Sequence, residues 1–175
     1  MLLNQPSDPN RLYNLLVLCT GNSARSILGE ALFNERLGCW FKAFSAGSRP
    51  TGQVNPFALE RLTQEGIAIE NFRSKSWDEF GRPEAPPLDF VMTVCGNAAC
   101  ELCPEFKGDF QRIHWGLPDP AEFTADPVLA REAFKHCFER LQGRIKALAA
   151  QPLADMTKAQ IAECMAVLAE DNDRI

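Results

Sequence analysis

Residues Cys19-Thr20-Gly21-Asn22-Ser23-Ala24-Arg25-Ser26 set a nucleophile and a guanidinium six positions apart, with only small, turn-forming side chains between them. A short apolar run, residues 12–18, leads into the cysteine. Ala24, Ile27, Leu28, Ala31 and Leu32 follow at helical spacing. A loop that passes from a strand directly into a helix gathers backbone N–H groups around one point. The helix N-terminus adds partial positive charge, and the result is an anion cradle. Arg25 contributes a planar fork that matches a tetrahedral oxyanion. The same field stabilises Cys19 as a thiolate, the nucleophilic form, and Ser26 is placed to donate a hydrogen bond to the sulfur. Gly21 permits close backbone approach, and Asn22 tolerates left-handed dihedrals. The predicted chemistry is attack by Cys19 on an oxyanion held by Thr20, Gly21, Asn22, Ser23, Ala24, Arg25 and Ser26. The bland reading is a buried cysteine ahead of a helix that happens to contain an arginine.

A second cluster lies downstream. The chain has seven cysteines, and Cys95, Cys100 and Cys103 fall within nine residues in Cys95-Gly96-Asn97-Ala98-Ala99-Cys100-Glu101-Leu102-Cys103-Pro104. An odd count in a chain of 175 residues, with no basic segment or long apolar stretch at its start, does not fit a secreted disulfide framework. A cytoplasmic protein is the expectation. A structural zinc site needs four ligands from paired short spacings, and only Cys100-x2-Cys103 supplies such a pair, even with Cys95 and His114 at hand. No metal site is expected. Thiol–disulfide chemistry or plain burial of the cysteines remains for the cluster. Cys39, Cys137 and Cys164 lie beside or on apolar faces and read as core or surface thiols.

The elements that must position these residues follow from periodicity. Residues 12–18, 41–46, 88–94 and 111–115 read as strands. Helices are predicted after the Cys19 loop, from the Asn55-Pro56 cap to Gly66, and from the Asp126-Pro127 cap to the break at Gln151-Pro152. A terminal helix opens on the capping box Thr157-Lys158-Ala159-Gln160. Strands alternating with helices predict a four-stranded parallel sheet with helices on both faces, an α/β class. Residues 1–10 read as a flexible arm, 11–150 as one domain and 151–175 as a helical C-terminal extension. Apolar residues make up 46% of the chain, enough for a sizeable core. The net charge of −5 argues against nucleic acid or an anionic membrane as partner, and no apolar run approaches a membrane span.

The Cys19–Ser26 motif resembles the Cys-x5-Arg-Ser/Thr loop of the low-molecular-weight protein tyrosine phosphatase superfamily. Asp119-Pro120 is similar to that family's general-acid motif, so the resemblance spans roughly residues 12–145. The cysteine cluster, with His114-Trp115-Gly116 and Asp119-Pro120-Ala121, resembles the arsenate reductase branch. The resemblance implies a relay: Cys19 as nucleophile, Asp119 as general acid, Cys95 as first resolving thiol and Cys103 as the last. Cys100 is a possible additional relay thiol that would replace or assist Cys103. The implied partners are arsenate and an external thiol reductant, either thioredoxin or glutathione with glutaredoxin, and no further cofactor. A phosphatase acting through phosphocysteine is the alternative. Members of that branch generally carry an aromatic residue after Asp-Pro and often a second cysteine in the loop, where this chain has Ala121 and Ala24. Some family members bind potassium near the anion loop through an acidic residue that aligns with Lys75. An ammonium there replaces the ion electrostatically, with Asn22 and Glu30 around it, so no potassium requirement is expected. The bland reading of Lys75 is a solvated surface residue. His114 and Trp115 are expected to brace the general-acid loop.

Overall fold

A computed structural model describes residues 11–96 and 103–171 of the chain. The arm at residues 1–10, Cys100 and the last four residues of the extension lie outside the described residues.

The elements are β1 (Tyr13–Cys19), α1 (Arg25–Leu37), β2 (Phe41–Gly47), α2 (Pro56–Gln64), β3 (Phe90–Thr93), β4 (Gln111–His114), α3 (Pro127–Ala149) and α4 (Lys158–Asp171). Short 3-10 helices occupy Trp77–Gly81, Pro120–Phe123 and Leu153–Asp155. The local signals for these boundaries operate as chemistry predicts. Asn55 accepts from Phe57 N–H at the start of α2, and Asp126 accepts from the N–H groups of Val128 and Leu129 at the start of α3. Thr157 and Gln160 exchange reciprocal side-chain-to-backbone bonds of 3.2 and 2.8 Å, the capping box that opens α4. Gly66, at φ +75, ends α2 in a conformation open to glycine. β3 is shorter than the apolar run from which it forms. Its flanks still bond as a sheet, with Asp89 N–H donating to Asn14 and Val94 N–H to Leu18.

All four strands are parallel, in the order β2-β1-β3-β4. β1 is central and pairs with both β2 and β3, so the chain reverses its direction of travel across the sheet there. Crevices outside the carboxyl ends of strands open at such reversals. Cys19 ends β1, and Cys95 follows β3 on the neighbouring strand. The topology therefore brings two of the candidate thiols to one crevice.

Alternating side chains build two cores. On one face Tyr13, Leu15 and Val17 of β1 pack with Ile27, Leu28, Ala31 and Leu32 of α1, Phe134, Leu141 and Ile145 of α3, and Ile161 and Met165 of α4. On the other face Leu16, Leu18 and Val91 pack with Phe80, Leu88 and Phe106. Among the described residues, the four α-helices serve the first face, while a 3-10 turn and the segment 103–110 serve the second. Right-handed crossovers explain the division apart from α2, which belongs to the β2–β3 connection yet packs in the first core. The connection from β1 to β2 runs opposite to those from β2 to β3 and β3 to β4, so the latter two must cross the second face. Among the described residues of those two crossovers, the part over that face is the 3-10 turn and extended chain. The terminal segment is part of the fold: Ile161 and Met165 of α4 are fully buried in the first core. Among the described residues no helix is long and apolar enough to cross a membrane.

Candidate active site

The loop between β1 and α1 closes around the Cys19 sulfur. Asn22 N–H donates to Cys19 Sγ at 3.2 Å, and Ser26 Oγ lies 2.9 Å from it. Asn22 is fully buried and sits at φ +45, the one positive value at a non-glycine among the described residues. An asparagine accepts that conformation at modest cost. It turns the loop back so that the N–H of residue 22 faces the sulfur three positions earlier.

The Asn22 side chain also sets the polarity of a buried network. Lys75 N–H donates to Asn22 Oδ1 at 2.8 Å, which assigns the opposite end of the amide as donor. Asn22 Nδ2 then donates to Ser26 Oγ at 2.9 Å and to Ser45 Oγ at 3.0 Å. Each serine hydroxyl, having accepted, keeps its own hydrogen for the next group. Ser26 turns it to Cys19, and Ser45 turns it to Glu30 Oε2. Hydrogen bonds thus run outward from one amide, ending on two acceptors, the Cys19 sulfur and the Glu30 carboxyl.

Behind this network Lys75 Nζ lies 3.8 Å from Glu30 Oε2, with the two side chains 9% and 15% exposed. Lys75 is therefore an internal cation rather than a solvated surface residue. Burial pushes the Glu30 carboxyl above its ordinary value, opposed by Lys75 and the Ser45 hydroxyl. Burial likewise pushes the Lys75 ammonium below its ordinary value, opposed by Glu30.

The other loop residues hold the backbone in place. Gly21 C=O accepts from Thr51 N–H and from Ser74 Oγ, each at 3.0 Å, and Ser23 C=O accepts from Asn55 N–H. Ala24 occupies the α1 cap position without a side-chain cap, which leaves the first N–H groups of the helix for the cradle. Thr20 Oγ1 lies 3.8 Å from Cys95 Sγ. Cys95 is 4% exposed and packs in the first core.

Arg25 spans the loop and the segment after β4. Its Nη1 donates to Leu117 C=O at 3.0 Å, and its Nη2 lies 3.1 Å from Asp119 Oδ2. Asp119 caps the 3-10 helix Pro120–Phe123 by accepting from Ala121 N–H, and its side chain is 34% exposed. The structure thus gathers Cys19, residues 20–26, Cys95 and Asp119 in one crevice. Cys103 lies elsewhere, packed against the second core.

Three contributors were not apparent from the sequence. Gly47, the last residue of β2, lies so close that a Cβ would stand 2.4 Å from Thr20 C=O and 3.0 Å from Asn22. Ser45 and Ser74 bond to the loop from segments far along the chain. A glycine and serine at the carboxyl end of a strand beside the central one is the signal that was available.

The remaining polar candidates have structural surroundings. His114 Nδ1 lies 2.7 Å from Thr93 Oγ1, and Trp115 is buried, consistent with bracing of the segment that follows. Cys137 lines a cavity of about 730 Å³ between the Asp119 segment and α3. Burial pushes its thiol up to about 12, so it stays protonated near neutral pH and is a poor nucleophile.

Comparison with known proteins places this geometry. The family model described as low molecular weight phosphotyrosine protein phosphatase matches residues 14–162. An arsenate reductase of Halalkalibacterium halodurans is 35% identical over 132 residues, covering 75% of this chain and 91% of the relative. Among solved structures, an arsenate reductase from Archaeoglobus fulgidus is 27% identical with a TM-score of 0.55, covering 75% of this chain and 98% of that one. A low molecular weight protein tyrosine phosphatase from T. tengcongensis is 26% identical with a TM-score of 0.58, covering 77% and 95%.

Proposed function

Since the chain belongs to the low molecular weight phosphotyrosine protein phosphatase family, we propose that within it the protein is an arsenate reductase that works through a thiol relay. The observation that carries this reading is the position of Cys95, whose sulfur lies 3.8 Å from the hydroxyl of Thr20, the residue next to Cys19. A phosphatase that resolves its intermediate with water has no use for a second thiol at that point. The reductase relatives of the chain point the same way.

The chemistry balances as follows. Arsenate sits in the loop of residues 20–26, with Arg25 across its oxygens. The Cys19 thiolate attacks arsenic, an oxygen departs as water with a proton from Asp119, and a sulfur–arsenic(V) adduct remains. The Cys95 thiolate attacks Cys19 Sγ. The sulfur–arsenic bond breaks with its electron pair left on arsenic, which departs as arsenite, and a Cys19–Cys95 disulfide forms. Closing one disulfide supplies the two electrons. Cys103, or Cys100 in its place, attacks Cys95 Sγ and restores the Cys19 thiolate. An external thiol, from thioredoxin or from glutathione with glutaredoxin, reduces the exported disulfide.

Asp119 and Arg25 suit their roles in this scheme. The Asp119 carboxyl stands beside the guanidinium that clamps the anion and is partly open to solvent. Ser26 Oγ and the Asn22 N–H both lie against the Cys19 sulfur that makes the attack.

The test is anaerobic incubation of the reduced protein with arsenate, with arsenite counted and disulfides mapped by mass spectrometry. The expected result is one arsenite per chain without donor and continuous turnover with it. Efficient hydrolysis of para-nitrophenyl phosphate that survives Cys95→Ser, with no arsenite formed, would establish the phosphatase reading instead.

A further inference from the structure

We propose that the C-terminal helix α4 sets the position of the general acid through Trp115, which makes Trp115 a positioning residue for Asp119. The proposal rests on the assignment of Asp119 as the acid in the reaction above.

Trp115 follows the edge strand β4 and is fully buried. Its indole N–H donates to Met165 C=O of α4 at 2.7 Å. A buried indole N–H requires a partner, because leaving it without one costs its full desolvation. The ring stacks on Phe33 of α1 at 5.7 Å, and the Arg144 guanidinium of α3 lies over it at 5.7 Å. Arg144 also donates to Ala169 C=O of α4 at 3.2 Å. Three helices therefore meet on one side chain, and only α4 answers its polar atom.

The stretch from Trp115 to Asp119 is short, and backbone hydrogen bonds tie it on both sides of Gly116. Trp115 N–H donates to Thr93 C=O and Leu117 N–H to Val94 C=O, so this stretch continues along β3. Leu117 C=O accepts from Arg25. Between Leu117 and Asp119 stands Pro118 alone, and Pro120 follows, both with ring-restricted φ. A displacement at Trp115 has little slack in which to dissipate before it reaches the Asp119 carboxylate. Misplacement by about 1 Å costs a catalytic group up to ~100-fold in rate.

A purely structural role for the contact would cover the β4 edge and lower stability when lost, without singling out the proton transfer. The experiment that separates the two is a double-mutant cycle on the full chain. The single-turnover rate of arsenite formation is measured for Trp115→Phe, Asp119→Asn and the combination. Ile161→Ala loosens α4 from its own core contacts without altering Trp115, and it decides the question on the same criteria if Trp115→Phe does not fold by near-UV circular dichroism.

Trp115→Phe and Ile161→Ala are each expected to slow the wild-type background about tenfold. They should leave sulfate inhibition within about twofold, since residues 20–26 hold the anion. In the Asp119→Asn background each should slow the reaction less than about twofold further, because the group they position is already gone. A folded Trp115→Phe variant with the wild-type rate, or an undiminished loss in the Asp119→Asn background, overturns the proposal while Asp119 keeps its role. An Asp119→Asn variant as fast as the wild type overturns the acid assignment and the positioning claim together.

Discussion

Cys95 and Cys103 pack on opposite faces of the same sheet. The first belongs to the first core, and the second packs against the second core on the other side. A disulfide needs Cα atoms about 4.4–6.8 Å apart with the Cβ atoms facing each other. Cys95 stands beside the loop that carries Cys19, whereas Cys103 packs on the far face, so the second step of the proposed relay calls for movement of the segment that carries Cys103. Cys103→Ser is expected to release one arsenite per chain and stop as a Cys19–Cys95 disulfide. If Cys100→Ser stalls at that point and Cys103→Ser does not, Cys100 is the relay thiol. Full cycling by the double variant would mean that the donor attacks Cys19–Cys95 directly.

Arg25→Lys keeps the charge but cannot serve Leu117 C=O, Asp119 and a bound oxyanion with one planar fork. A loss of about 100-fold in turnover is expected, the scale seen when a transition-state donor is removed. The check is steady-state arsenite formation with the fold verified by circular dichroism. Turnover near the wild-type level would show that Arg25 is not the clamp.

Ser26→Ala removes the hydroxyl that Asn22 orients toward the Cys19 sulfur. Hydrogen bonds to a charged group contribute about 1.5–3 kcal/mol. Alkylation of Cys19 by iodoacetamide at neutral pH should accordingly slow by about tenfold or more. Ser45→Ala breaks only the branch that leads to Glu30, so its effect on alkylation should be much smaller.

Lys75 and Glu30 make a pH-dependent contribution whose sign can be worked out. The Glu30 carboxyl is raised above 4.5, so above that pH the folded chain binds more protons than the unfolded chain, and stability falls as pH rises through the folded value. The Lys75 ammonium is lowered below 10.5, so stability rises with pH as that value is approached. Lys75→Met leaves the carboxylate alone, and the expected loss is about 3 kcal/mol near pH 8, shrinking toward pH 5. Glu30→Gln should show its largest loss at neutral pH or below and recover as pH nears that of free lysine. Thermal unfolding across pH 5–10 tests both. With the ammonium 3.8 Å from Glu30, turnover should also be equal in potassium and sodium chloride; a rate raised severalfold by potassium would refute the internal-cation reading.

Gly47→Ala adds a methyl group 2.4 Å from Thr20 C=O, where backbone rather than a flexible side chain must give way. The expected cost is about 2–3 kcal/mol of stability. Turnover should fall together with sulfate affinity, both read by titration and assay of the same variant.

The pattern of strands and helices was legible because its causes are local. The apolar run of residues 12–18, the Asn55 and Asp126 caps and the Thr157–Gln160 box act within a few residues of themselves. The nucleophile, its loop and Arg25 were legible for the same reason, since one contiguous turn carries them all. What depends on chain segments meeting in space was not. Nothing near Cys19 in sequence announces that Ser45 and the Lys75 backbone orient Asn22, or that Gly47 makes room for the loop. The sequence grouped Cys95 with Cys103 because eight positions separate them, whereas the sheet places them on different faces. Trp115 was read as a brace, but its partner, the Met165 carbonyl, lies 50 residues away. Side-chain periodicity specifies which face a residue takes within its own element; which distant groups then share a buried hydrogen bond is decided only when those elements pack.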